Sequence, residues 1–326
     1  MRLFPLLAAA LLLACSGRPE KPRDRRPRPE AERSAGPFDW RHPEASLRLG
    51  PEAWTARVGS FDWECTVTWS SRQHTGPAVH ASERYHLRQL AGGDFALEND
   101  IDPERGAGSD TGLRVVWAKG MTYARSRYSP SGGWRERPTD RGRDARRFRD
   151  ESFLAAADLA NLLGPALKLQ ERGESTFLGR RTRRYALSLD GKSFAPGPSH
   201  LGESPPEGPR DEDTRRRLDF LDGRQPLSTE GVLLADAATG VPLEVHLRTA
   251  FGVRGDPQAH IDVDLLARAT ALGAAVGTVA PPDDVLPDER KPKGVARALE
   301  AAGLRNRKAP AGGAEPAEPE PEPDEE

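Results

Sequence analysis

The stretch FDWECTVTWS, residues 61–70, alternates strictly between apolar and polar side chains. Its apolar positions are Phe61, Trp63, Cys65, Val67 and Trp69. Successive side chains of a β-strand point to opposite faces of a sheet, so this pattern predicts a strand with one apolar face. Because Cys65 lies on that face, we expect it to be a small buried side chain and not a reactive thiol.

The same alternation recurs along the chain. Residues 83–90 and 94–99 flank a glycine-rich turn at 91–93, and residues 113–127 predict two strands joined at Lys119-Gly120. Residues 181–190, 231–236, 242–251 and 259–270 predict four more strands, with a hairpin turn at 237–240. Short consecutive strands joined by tight turns favour one antiparallel meander.

Helices that could cover this sheet are few. Residues 144–164 predict one good helix, and residues 51–58 and 294–302 predict two weaker ones. A mainly β (α+β) fold with so many one-sided strands is expected to close on itself or to curl around a hollow, which is a common place for a ligand pocket. The residues predicted to line that hollow are Phe61, Trp63, Val67, Trp69, Val115 and Trp117. A tightly closed sheet, or two facing layers without a cavity, is the alternative.

The N-terminal stretch MRLFPLLAAALLLACSG, residues 1–17, has the layout of a secretory signal. Its apolar part, residues 3–14, is shorter than the ~20 residues that span a bilayer. The sequence Leu12-Leu13-Ala14-Cys15 resembles the bacterial lipobox, which implies cleavage after residue 14 and a lipid on Cys15 that anchors the chain to a membrane. An ordinary signal with a chance cysteine is the alternative.

The lipobox resemblance implies a bacterial cell-envelope lipoprotein. Ser16 follows the cysteine, and in the enterobacterial sorting pattern this favours the outer membrane, facing the periplasm. Cys15 and Cys65 are the two cysteines, so with Cys15 lipidated no disulfide is expected. The net charge of −2 excludes a globally basic nucleic-acid binder.

Composition divides the chain into four parts. After a signal peptide at residues 1–14, residues 15–37 combine the lipidated cysteine with a proline- and arginine-rich tether that we expect to be disordered. One folded domain is expected over residues 38–304, with a disordered insertion at 192–217. Residues 305–326 predict a disordered acidic tail, in which APAGGAEPAEPEPEPDEE (309–326) holds seven acids and no cations.

Three segments together resemble the LolA/LolB lipoprotein-localisation family and the related RseB-type and LppX-type domains. They are LGPALKLQERGESTFLGRRTRRYALSL (163–189), LADAATGVPLEVHL (234–247) and VAPPDDVLP (279–287), and the resemblance extends over about residues 51–288. It implies a half-open antiparallel β-barrel or curled sheet, capped by helices, whose concave side holds an acyl chain or a lipidated peptide. The anchor is closer to LolB than to soluble LolA, whereas the insertion and the acidic tail depart from the family. No ligand-binding residue of the family maps onto this chain.

Catalytic motifs do not stand out. The seven histidines form no HExxH pattern, and the chain has no GxSxG or Walker motif. His246, His260, Asp262 and Asp264 come nearest to a metal site, but such residues are common on solvated strand faces. We therefore expect no enzyme activity, no cofactor and no metal.

An arginine cluster offers a second kind of surface. It consists of Arg135, Arg137, Arg141, Arg143, Arg146, Arg147 and Arg149. Such a cluster suits lipid phosphates, an acidic partner or the acidic tail of the same chain, and it is also typical of a plain solvated face. Two functions therefore stay open: binding of a lipid or lipidated protein in an apolar cavity, and a non-enzymatic interaction, sensor or scaffold module that uses loops and arginines.

Overall fold

The computed structural model describes residues 37–72, 78–103, 112–126, 132–191 and 220–286, with only the backbone described for residues 102, 103, 126 and 257. The predicted signal peptide, Cys15, the tether, the insertion at 192–217, the helix at 294–302 and the acidic tail lie outside the described residues.

The described part of the chain forms twelve strands. In chain order they are β1 (Phe61–Arg72), β2 (Val79–Gln89), β3 (Phe95–Pro103), β4 (Leu113–Ala118), β5 (Met121–Ser126), β6 (Trp134–Glu136), β7 (Leu167–Phe177), β8 (Arg180–Leu189), β9 (Arg224–Asp236), β10 (Pro242–Val253), β11 (Asp256–Leu272) and β12 (Val285–Leu286). The strands predicted from alternation are thus confirmed, several of them longer than expected. The two short strands, β6 and β12, have too few residues to show an alternation of apolar and polar side chains.

All twelve strands belong to one sheet, in the order β12-β6-β5-β4-β3-β2-β1-β11-β10-β9-β8-β7. Neighbours are antiparallel except for the parallel pair of β12 and β6. β1 lies in the middle and pairs with β2 on one side and with β11 on the other. Within the described residues β7 and β12 form the two edges and do not pair with each other, so the sheet is curled but unclosed.

Three helices pack against the sheet: α1 (Pro51–Val58), α2 (Arg143–Phe153) and α3 (Ala155–Leu163), preceded by a 3-10 helix at Pro43–Arg48. α1 has the predicted bounds and starts with proline, whose missing N–H would have no partner at that position anyway. The single helix predicted at 144–164 is two helices, because Leu154, with φ −84° and ψ 8°, leaves helical geometry between them. Phe153, Leu159 and Leu163 are buried on either side of this break. None of the helices in the described ranges is long and apolar enough to cross a membrane.

Candidate functional site

The concave face of the sheet carries the apolar side chains that the alternation predicted. On β1 these are the side chains at odd positions, and the register places Trp63 opposite Leu87 of β2 and Ala269 of β11. Cys65 on the same face is buried, and its burial raises the pKa of the thiol to about 12. A thiol with so high a pKa stays protonated at neutral pH and is a poor nucleophile.

Helices fill one end of this face. The ring of Phe153 from α2 lies 5.2 Å from Trp54 of α1, and 4.9 Å from Trp63 and 5.7 Å from Phe61 of β1. The gap that remains between helices and sheet at this end has a volume of about 20 Å³. This is room for about one water molecule and not for an acyl chain.

The predicted lining residues of β1 become less buried from the start of the strand toward its end. Phe61 and Trp63 are 0% and 3% exposed, whereas Val67 and Trp69, further along the same face, are only half-buried. Val115 on β4 is buried, at 1% exposure. The structure therefore divides the six predicted residues into a packed group and a more open group, and contact with a ligand stays a prediction for both.

Trp117, the sixth residue, is half-buried beneath the start of α2. The guanidinium of Arg146 lies 5.2 Å from the centre of its ring. A Cβ atom at Gly142 would come within 2.9 Å of the same ring, so the glycine lets the backbone approach the indole closely. Trp117 is thus held by α2 on one side.

The open group continues onto the neighbouring strands. Trp69 lies opposite Val263 of β11 and opposite Ala81 of β2, and both of these are half-buried. Ile261, two residues from Val263, is half-buried as well. We call the patch formed by Val67, Trp69, Ala81, Ile261 and Val263 the open apolar patch; it spans three adjacent strands on the concave face.

Glu83 on β2 lies opposite Val67, between the packed and the open ends of the concave face. The hydroxyl of Tyr85 on β2 donates a hydrogen bond to Glu83, and burial together with this carboxylate raises the pKa of Tyr85. Burial, assisted by nearby Glu151, raises the pKa of Asp158 on α3 to about 6. Asp158 therefore becomes protonated as the pH falls through about 6, well above the range in which an exposed carboxyl is protonated.

The predicted arginine cluster is split by the fold. Arg149 is buried, at 3% exposure, and its guanidinium pairs with Glu52 and Asp150 and donates to Gln89 at 3.1 Å. It also lies 5.0 Å from the centre of the Phe95 ring. Arg149 therefore joins α2 to α1 and the sheet, and it does not belong to an exposed interaction surface.

The other members of the cluster are exposed. Arg147 pairs with Glu151 at 3.8 Å, and Arg143 with Asp144 at 3.4 Å. A cleft of about 360 Å³ opens between β6 and the start of α2, and its lining includes Arg135, Arg137 and Arg143. We call it the arginine cleft.

The outer face of the sheet holds the histidines considered as metal ligands. His246 pairs with Asp264 at 3.1 Å, and His260 pairs with Asp262 at 2.9 Å. Among the described residues no group of three or more histidine, cysteine or acidic side chains is placed to hold a metal ion. A shallow groove of about 530 Å³ near these pairs is lined by hydroxyl and charged side chains, such as Thr68, Ser70 and Arg248, and also by Trp69 and Val263 of the open apolar patch.

No protein-family model and no curated protein matches this chain. Similar solved structures include the lipoprotein LppX of Mycobacterium tuberculosis, with 10% identity over 70% of this chain and 94% of LppX, and a TM-score of 0.25. MucB has 16% identity over 74% of this chain and 60% of MucB, with a TM-score of 0.25. A LolA-superfamily protein from Nitrosomonas europaea has 8% identity over 64% of this chain and 84% of that protein, with a TM-score of 0.17.

The third of these structures is a LolA-superfamily protein, and the sequence resemblance named both that family and LppX-type domains. At such identities and TM-scores the similarity carries no argument about ligand or partner.

Proposed function

We propose that this chain is a lipid-anchored envelope protein that holds an acyl chain, from a lipid or a lipidated protein, on the open apolar patch of its curled sheet. The observation that carries the proposal is the fall in burial along the concave face of β1. Phe61 is fully buried, whereas Val67 and Trp69 on the same face are half-buried.

The open apolar patch still has apolar area that no other part of the described chain covers. Full burial of a side chain such as valine stabilises by about 1.5–3 kcal/mol, and each buried lipid methylene adds about 0.8 kcal/mol. Neighbouring half-buried side chains on three strands can still gain the remaining part of this energy from a bound chain, and apolar patches of this kind mark binding surfaces. The gap of about 20 Å³ at the packed end leaves no room for a bound acyl chain.

The anchor and the location form part of the proposal. A lipid on Cys15, next to Ser16, would tie the chain to the bacterial envelope at the outer membrane, facing the periplasm. The domain bounds proposed from composition are 1–14 for the signal peptide, 15–37 for the anchor and tether, 38–304 for the folded domain and 305–326 for the tail. The membrane, reached through the lipid on Cys15, and an acyl chain or lipoprotein are the proposed partners, and no nucleic acid or cofactor is involved.

A second candidate function has its own observation. The exposed arginines Arg135, Arg137, Arg141, Arg143, Arg146 and Arg147 cluster around one edge of the sheet and the start of α2. A non-enzymatic periplasmic interaction, sensor or scaffold module would use this surface with an acidic protein partner.

Native mass spectrometry distinguishes the two. A chain that starts at residue 16, and so lacks the signal peptide and the lipidated cysteine, would be exported to a bacterial periplasm behind a cleavable signal, purified without detergent and sprayed from volatile buffer. We expect an added mass of several hundred daltons that organic extraction removes and that fragments as a lipid. Trp69→Asp places a charge on the open apolar patch, and we expect it to lower lipid occupancy at least ~10-fold, since transferring a charge next to an acyl chain costs several kcal/mol.

Leu266→Asp is the matched control. Leu266 is an exposed apolar residue on the opposite face of β11, so the same change in charge should leave occupancy unchanged. A bare polypeptide mass for the wild type, with no uptake of added phospholipid or lipopeptide, would reject lipid binding and favour the interaction module. Equal loss of occupancy in the two variants would assign the lipid to a different surface.

A further inference from the structure

One charged side chain interrupts the concave face of the sheet. The pairing registers, followed from the odd positions of β1, identify the concave positions of β2, β3, β4 and β11. In the described ranges these positions carry a single acidic or basic residue, Glu83 on β2. The others are apolar, aromatic or uncharged polar residues. A ligand on this face would therefore meet one negative charge.

Glu83 borders the open apolar patch. It lies opposite Val67 and is two residues from Ala81, and both of these residues belong to the patch. Glu83 is half-buried, so it contacts the solvent as well as the protein. A ligand that covers Val67 therefore also lies against this carboxylate.

No cation compensates Glu83 within the described residues. In the part of the chain that the structure describes, the Tyr85 hydroxyl donates a hydrogen bond to Oε2 of Glu83, Oε1 accepts none, and the carboxylate forms no ion pair. Burial raises the pKa of Tyr85, and Glu83 and Glu151 of α2 raise it further. Glu151 pairs with Arg147 at 3.8 Å, where both side chains are exposed. Beside the patch, the charge of Glu83 itself is thus left without compensation.

A second hydrogen-bond acceptor lies next to this pair. Asn99 of β3 is directly opposite Tyr85. Within the described residues its amide oxygen, Oδ1, is buried and has no hydrogen-bond donor. The Tyr85 hydroxyl does not supply one, because it already donates to Glu83. Buried polar atoms are nearly always hydrogen-bonded, so an unpaired acceptor here is a place for a donor from a bound molecule.

We propose that Glu83 selects the ligand by its polar end. A ligand whose acyl chain carries a primary amine or a hydroxyl group binds, whereas one whose chain ends in a carboxylate or a phosphodiester is rejected. This inference rests on the proposed function, which is acyl-chain binding on the open apolar patch, and adds the chemical class of the ligand.

Charge and hydrogen bonding act in the same direction at this position. An ammonium group would donate charge-assisted hydrogen bonds to Oε1 of Glu83 and compensate its charge. A hydroxyl group would donate one hydrogen bond and add no charge. A carboxylate or a phosphodiester has no proton to donate at neutral pH, and it would place a second negative charge against Glu83 where little water screens the repulsion.

Calorimetric titration with decylamine, decanol and decanoate tests the selection. These compounds have the same alkyl chain and differ in the polar end, which is cationic, neutral and anionic at pH 7. The chain that starts at residue 16 is freed of bound lipid on a hydrophobic resin and titrated with each compound below its critical micelle concentration. We expect decylamine to bind at least ~10-fold more tightly than decanoate, with decanol between them.

Glu83→Gln removes the charge and keeps an acceptor for the Tyr85 hydroxyl. In this variant we expect decylamine to bind only about 1–3-fold more tightly than decanoate, while decanol binds as in the wild type, which shows that the fold and the patch are intact. Glu98→Gln is the matched control. Glu98 lies on the next strand, β3, but on the outer face, where it pairs with Arg114 at 3.5 Å. The same loss of charge there should keep the wild-type ratio of affinities.

Three results would contradict these expectations. If all three compounds bind the wild type with equal affinity, acyl-chain binding stands and the selection by Glu83 is rejected. If Glu83→Gln and Glu98→Gln have the same ratio of affinities, the preference comes from the overall negative charge of the chain and not from Glu83. If none of the compounds binds, the proposed function itself is rejected, and this inference with it.

Discussion

Asp236 ends β9 and is 2% exposed. Its carboxylate oxygen Oδ1 accepts hydrogen bonds from the backbone N–H of Thr239 at 2.8 Å and of Ala238 at 3.2 Å, which folds the hairpin turn, and Oδ2 pairs with Arg180 at 2.5 Å. Burial alone would raise the pKa of Asp236, but Arg180 and Thr239 outweigh it and hold this pKa below its ordinary value of 3.8. One carboxylate thus fixes a turn and joins β9 to β8.

We expect Asp236→Ala to lower the free energy of unfolding by about 1–3 kcal/mol, since the backbone N–H groups of Ala238 and Thr239 lose their hydrogen-bond acceptor, whereas Arg180, with 36% of its side chain exposed, can turn to water. Urea unfolding at pH 7 measures the change. Glu174→Gln is the control, because Glu174 pairs with the next arginine, Arg181, on the surface, where such pairs contribute less than about 1 kcal/mol.

Asp236 also makes the free energy of unfolding depend on pH. A group whose pKa is lowered in the folded state stabilises the fold above its unfolded pKa, near 3.8, and this contribution is lost as the pH falls through the folded value. The difference in unfolding free energy between wild type and Asp236→Ala should therefore shrink below about pH 4. A difference that stays constant between pH 7 and pH 3 would contradict the assigned role.

At the scale of elements, the approach of β9 to β10 depends on one glycine. Gly231 lies opposite Leu247 of β10 and Leu187 of β8. A Cβ atom at this position would come within 2.2 Å of the His246 carbonyl oxygen and 3.1 Å of the Leu247 Cα. Both are backbone atoms that cannot rotate away, so the two strands lie this close only because residue 231 has no side chain.

We expect Gly231→Ala to destabilise the chain by about 1–3 kcal/mol, the usual range for overpacking a well-packed region. Thermal unfolding followed by circular dichroism measures the effect. Gly92→Ala provides the comparison, because a Cβ there meets nothing within 4 Å. If both variants unfold at the same temperature, the close contact at Gly231 is not a constraint of the native fold.

Helices show how the elements share the concave face. α1 and α2 bring Trp54 and Phe153 onto the first residues of β1, while the later residues of β1 remain half-buried. The break at Leu154 changes the course of the chain between α2 and α3, and Ala156 and Leu159 of α3 are buried beyond it. The covered and open parts of the sheet follow from where these three helices lie.

At the scale of the whole molecule, β1 and β11 join the two halves of the sheet. They pair from Phe61 with Leu272 to Arg72 with His260, across about 200 residues of sequence. β12, by contrast, has two residues and pairs at the edge of the sheet. Central strands open only when the whole fold opens, whereas edges open locally.

Hydrogen exchange should show this difference. We expect the amides of Trp63, Cys65 and Ala267 to exchange only through global unfolding, with protection equal to the free energy measured in urea. Those of Trp134 and Arg135 on β6 should exchange at least ~100-fold faster, as local openings cost less free energy. Similar protection at β1 and β6 would indicate that the edge is covered by further structure.

Alternation in the sequence was enough to predict the strands, their apolar face and the buried state of Cys65, because a period of two is a local property of extended chain. Turn residues such as those at 237–240 likewise predicted the hairpins. Nothing in the local sequence distinguishes Phe61 from Trp69, since both are aromatic residues at apolar positions of the same strand. The same holds for Arg149 and Arg147, which are two arginines of one helix. Only the tertiary structure decides that Phe61 packs under helices while Trp69 stays half-buried, and that Arg149 points inward to Glu52. These outcomes depend on contacts between segments that are far apart in the chain. Such contacts form only when β1 pairs with β11 and the helices pack against one end of the sheet.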